Sequence, residues 1–135
     1  MDCITIIVPI TLVSESNKSE HWSAGAKRHK AQKMAVTAFL RHELEEVPMP
    51  CEITLVRHSM RFYDDSNLVS AFKYVQDAVS EFAIPEKAID KYGKPLAGRA
   101  DNDPRIKWQY RQEKYDGHCI SIEIKPLLSR IGSHQ

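Results

Sequence analysis

Near its C-terminal end the chain carries two runs that alternate apolar and polar residues with a period of two. IKWQYRQEK turns Ile106, Trp108 and Tyr110 to one side, and GHCISIEI does the same with Ile120, Ile122 and Ile124. Successive side chains of a strand point to opposite faces, so each run fits a strand with one face on a core. Asp116-Gly117 between them is a turn dipeptide, and the pair is expected to form a hairpin. A sheet that exposes one face needs something apolar on the other, and the upstream sequence supplies it.

Cys3 to Val8 is nearly continuous in apolar and β-branched residues, which suits a strand buried on both faces and ended by Pro9. Ser14 to Ser23 is polar and reads as a loop. Ala24 to Leu44 has helical spacing, with Ala31, Met34, Ala35, Ala38 and Phe39 as the expected core stripe and Lys30, Lys33 and Arg41 on the far side. Pro48 and Pro50 close it, and CEITLVRH, Cys51 to His58, alternates as a strand. A second helix is expected from about Asn67 to Phe82 through Leu68, Phe72, Val75, Val79 and Phe82, followed by an irregular connection up to Pro104. The fold class expected is α+β: one domain over residues 1–135, with a small mixed sheet of about four strands and helices mainly on one face.

At 135 residues the chain is long enough for one modest core. No run is long and apolar enough for a membrane span, and the acidic MDC start is unlike a signal peptide. Cys3, Cys51 and Cys119 are odd in number and widely spaced, so they read as reduced thiols of a cytoplasmic protein. They and the histidines lack zinc-ligand spacing. The net charge is only +1, but Lys18 to Lys33 holds Lys18, Lys27, Arg28, Lys30 and Lys33 against Glu20 alone. Lys27, Arg28, Lys30 and Lys33, with Arg99 and Arg105 downstream, are the candidate contacts to a phosphate backbone, the alternative being an ordinary solvated helix end.

The chemistry rests on carboxylates. Asp64 and Asp65 stand where the second strand hands over to the second helix, and Asp101 and Asp103 stand just before the strand that begins at Ile106. One reading makes Asp64, Asp65 or Ser66 the helix N-cap and the other acids surface charges. The other gathers the two pairs at one sheet edge, where their mutual repulsion calls for a hard divalent cation such as Mg²⁺. Metal-activated water then attacks a phosphodiester, with Lys73 offering positive charge to the phosphate. Spacing alone leaves both open; a Lys73–Asp77 pair at i,i+4 is the plainer account of that lysine.

Four stretches bear on the choice: VPITLVSESN, HWSAGAKRHKAQK, YDDSNLVSAFKYVQDAV, and DNDPRIKWQYRQEK followed by GHCISIEI. In this order, over nearly the whole chain, they resemble the RusA family of Holliday junction resolvases, small Mg²⁺-dependent endonucleases common in prophages. The resemblance implies a homodimer that binds branched DNA and cuts it in recombination and repair, with Mn²⁺ as a substitute ion and no membrane or small organic cofactor. Position by position, Asp64 matches the first acid of the helix-opening motif, Asp103 or Asp101 the late acid, and Lys73 and Asp77 the lysine and aspartate of the helix. The implied catalytic set is Asp64, Asp65, Lys73, Asp77, Asp101 and Asp103, with Asp64, Asp65 and Asp103 on the metal. Where the family pattern has an acid just before the Asn, this chain has Ser66. A catalytically impaired DNA-binding module of the same fold and a non-enzymatic interaction domain are the alternatives.

Overall fold

In the computed structural model, which describes residues 3–13, 22–87, 91–94 and 102–127, the strand Cys51–His58 (β2) organises the sheet. Its neighbours are the strand Ile106–Glu113 (β3), which runs parallel to it, and the strand Cys119–Pro126 (β4), which runs antiparallel. The strand Ile4–Val8 (β1) adds antiparallel to the far side of β4, giving the order β1-β4-β2-β3. The helices are Trp22–Glu43 (α1), Asp65–Ala71 (α2) and Lys73–Ala83 (α3). The described residues thus form the expected α+β fold with a four-stranded mixed sheet.

Register sorts the strands by parity. Cys51, Ile53 and Leu55 stand level with Ile106, Trp108 and Tyr110 on one side and Ile124 and Ile122 on the other. That face packs with Ile6 and Val8 of β1 against Val36 and Leu40 of α1, Leu68 of α2 and Val75 and Val79 of α3. The opposite face carries Glu52, Thr54, Gln109, Arg111 and Glu123, and there Arg111 bonds both Glu113 and Glu123.

Four expectations are corrected. β3 and β4 are not a hairpin: β2 lies between them, and residues 114–118 cross over its end, where Tyr115 N–H donates to the Ser59 carbonyl. Gly117 still turns the chain, at φ 142°, where a Cβ would approach the Tyr115 ring to 2.9 Å. β1 is an edge strand buried on one face, with Ile7 60% exposed. The second helix is two, α2 and α3, meeting at Phe72, whose backbone (φ −86°, ψ 0°) ends one and starts the other. Finally, α1 buries Gly25, Gln32, Val36 and Leu40, leaving Met34 and Phe39 exposed. Its inward stripe contains a glutamine, so counting apolar residues finds the wrong side.

Candidate nucleic-acid and metal site

β2 ends by sending Arg57 inward, in parity with Cys51, Ile53 and Leu55. Arg57 is buried at 6% exposure. Its Nη1 donates to the Arg61 carbonyl at 2.6 Å and to Gln112 Oε1 at 3.2 Å, and its guanidinium lies 3.7 Å from the centre of the Tyr63 ring. The same Gln112 amide grips the Tyr63 backbone: Oε1 accepts from Tyr63 N–H and Nε2 donates to the Tyr63 carbonyl, both at 2.8 Å. Tyr63 O–H reaches the Leu12 carbonyl. The loop from Ser59 to Asp64 is therefore fixed by side chains of the sheet at the C-terminal end of β2 and β3.

That loop delivers Asp64, the N-cap of α2. Asp64 Oδ1 accepts from Asn67 N–H at 2.9 Å and from Ser66 Oγ at 3.1 Å, and Oδ2 accepts from Asn67 Nδ2 at 3.2 Å. The capping part of the first reading holds, with Asp64 as the cap. Ser66, standing where the resembled motif has an acid, donates to Asp64 and offers no second carboxylate. Asp65 is exposed in the first turn of α2. Lys73 is exposed at the start of α3, its Nζ 5.4 Å from the Tyr74 ring centre, and with Val69, Ser70, Gln76 and Tyr110 it lines a depression of about 280 Å³. Lys73 forms no ion pair with Asp77 among the described residues; Asp77 is buried in α3.

Asp103 lies elsewhere. Buried at 4% exposure, it precedes β3, and its oxygens accept from Arg105 N–H, Nε and Nη2 at 2.9–3.0 Å. This fork, chiefly its hydrogen bonds, raises the Arg105 pKa, with a lesser contribution from Glu86 at 3.7 Å. β2 and β3 are parallel and in register from Cys51↔Ile106 to His58↔Glu113. Asp64 follows the last residue of β2, while Asp103 comes before the first of β3. The two acids therefore sit at opposite ends of a parallel pair whose eight residues span about 23 Å at ~3.3 Å per residue. The expected meeting of Asp64, Asp65 and Asp103 at one rim does not occur within one chain. Among the described residues no group of three or more His, Cys, Asp or Glu is placed to hold a metal ion, so Asp64, Asp65 and Asp103 of one chain do not together form the set that the resemblance implies for the divalent ion. Asp101 and Arg99 lie outside the described residues.

The basic candidates divide. Lys27 and Lys30 are exposed on α1, and Arg28 is half-buried with Nη2 3.3 Å from His29 Nε2. His29 stacks on Tyr74 of α3, ring centres 3.7 Å apart. Lys33 is turned to α3 instead of solvent: its Nζ is 2.7 Å from Glu81 Oε2, an ion pair without hydrogen-bond alignment. Arg105 serves Asp103. Of these candidates described on α1, Lys27 and Lys30 are thus the ones exposed to solvent. Arg57 and Gln112 are the residues that sequence reasoning passed over, although an arginine in the inward parity of an otherwise apolar strand was the available signal.

No helix among the described residues is long and apolar enough to cross a membrane. No protein-family model, curated protein or solved structure matches this chain.

Proposed function

We propose that this protein binds branched DNA and cuts it as a divalent-metal-dependent endonuclease of the RusA type, working as a pair of copies. The observation that carries the two-copy form is the parallel register of β2 and β3. It sets Asp64 and Asp103 of one chain at opposite ends of strands that span about 23 Å, so an acidic centre containing both takes Asp64 and Asp65 from one copy and Asp103 from the other. A two-fold axis that sets the start of one β3 against the far end of the other achieves this. Lys73 lies a short way along the helical segment from Asp65, and Lys27 and Lys30 supply sequence-independent phosphate contacts. The resemblance of the four motifs supports the chemistry, and the surface placement of Asp64, Asp65 and Lys73 supports access of a nucleic-acid backbone.

The second reading, a binding module without cleavage, is favoured by the saturation of these acids: Asp64 holds three hydrogen bonds and Asp103 is forked by Arg105. Incubating the protein with a synthetic four-way junction in Mg²⁺ and in Mn²⁺ separates the two. Paired nicks near the crossover support the endonuclease; a junction that is retarded on a gel and uncut in both ions establishes the binding module; no retardation in low salt refutes both.

A further inference from the structure

Arg57 stands out among the cations of the sheet. Arg111 is bonded to Glu113 and Glu123, Arg105 to Asp103, and Lys107 lies 3.8 Å from Glu52. Arg57 is more deeply buried than any of them, yet its contacts are all neutral: the Arg61 carbonyl, the Gln112 amide oxygen and the face of Tyr63. A guanidinium stays protonated at any ordinary pH and carries five N–H donors. Here Nη1 makes the hydrogen bonds, while Nε and Nη2 make none among the described residues and are not sealed from solvent. Burial of a charge is costly without a counter-charge, and this one has none among the described residues, while two donor positions on the adjacent edge of its plane make no hydrogen bond there.

We infer that Arg57 is an anion site and that its ligand is a phosphate of a nucleic-acid backbone, gripped through Nε and Nη2. The planar fork suits two phosphate oxygens, and Tyr63 and Gln112 hold it in place before the ligand arrives, so little side-chain freedom is lost on binding. The same Tyr63 is followed directly by Asp64, which sets the bound phosphate beside the acids that open α2. The nucleic-acid identity of the ligand rests on the proposed function; the anion site itself does not.

Inorganic phosphate titrated into the ¹⁵N-labelled protein is the direct test, followed through the arginine Nε–H signals. The Arg57 signal is expected to move and saturate, while those of Arg105 and Arg111, already held by carboxylates, stay in place. An Arg57 signal that does not move overturns the anion site. Junction DNA is then titrated in the same way; a junction that leaves Arg57 unmoved while phosphate moves it overturns the nucleic-acid assignment. Arg57→Gln is expected to weaken junction binding several-fold and to lower the slope of log affinity against log salt by about 1, with no change in slope counting against the assignment. If the variant fails to fold, the wild-type titrations still decide. Asp64→Asn protein, even if unable to cut, is expected to keep the phosphate response, so failure of the cleavage reading and failure of this one are told apart.

Discussion

Asp64 has two assignments that different substitutions separate: it caps α2, and it is the first acid of the proposed centre. Asp64→Ala removes the oxygens that accept from Asn67 N–H, Ser66 Oγ and Asn67 Nδ2. Loss of an N-cap costs about 1 kcal/mol, within a range of roughly 0.5–2. Asp64→Asn keeps an oxygen for Asn67 N–H and gives up the exposed bond from Asn67 Nδ2 to the second oxygen together with the attraction of a negative charge to the start of the helix, ~0.3–1 kcal/mol at an exposed site. For a chain of this length 1 kcal/mol moves the melting temperature by about 3–5 °C. Melting followed by far-ultraviolet circular dichroism should therefore place Asp64→Ala about 2–10 °C below the wild type and Asp64→Asn above the alanine variant, within about 5 °C of the wild type. Junction cleavage should be lost in both, while Asp64→Asn still binds, since it removes negative charge beside phosphate. An alanine variant as stable as the wild type would refute the cap, and an asparagine variant that cuts at the wild-type rate would refute the catalytic assignment.

Two further outcomes test the fold. Gln32 is 6% exposed and its Oε1 has no hydrogen-bond partner among the described residues; Gln32→Met, of similar length and without the stranded acceptor, is expected to raise stability by about 1 kcal/mol in urea melts, and a loss of stability would contradict the burial assigned to α1. Burial raises the Cys51 thiol from the ordinary 9.0 to about 11. The folded state thus holds a proton that the unfolded state releases first: the contribution is fully present below pH 9 and fades as pH climbs towards 11, by up to roughly 3 kcal/mol. The wild type should therefore lose more stability than Cys51→Ala between pH 9 and 10.5, and native Cys51 should resist alkylation at pH 8 while exposed Cys3 reacts; parallel pH profiles would contradict this.

Strand content was legible because period two is a direct image of the pleat: Ile106, Trp108 and Tyr110, and Ile120, Ile122 and Ile124, face the core as alternation requires. Pairing was not. Alternation fixes which face a residue occupies but not which strand lies next to it, and the turn at Asp116-Gly117 serves a crossing over β2 as well as a hairpin. Helix α1 misled through Gln32, a polar residue on the buried stripe. The acids misled for a topological reason that the element order already contained. β2, its helices and β3 form a strand–helix–strand unit, which usually makes the two strands parallel. In a parallel pair the segment leaving the first strand and the segment entering the second lie at opposite ends, so Asp64 and Asp103 part. That one of Asp64, Asp65 and Ser66 caps the helix, by contrast, was readable from residue type and position alone, while the choice of Asp64 was not.

The central claim is that the acidic centre is completed between copies, and mixing two inactive variants tests it most directly. Asp64→Asn and Asp103→Asn are each expected to bind a four-way junction without cutting it. Co-refolded in equal amounts, they form mixed pairs in which one of the two shared centres has both acids restored, so nicking of one strand should return. Mixtures that form such pairs, verified by differently sized tags, and remain as inactive as the separate variants would contradict the account.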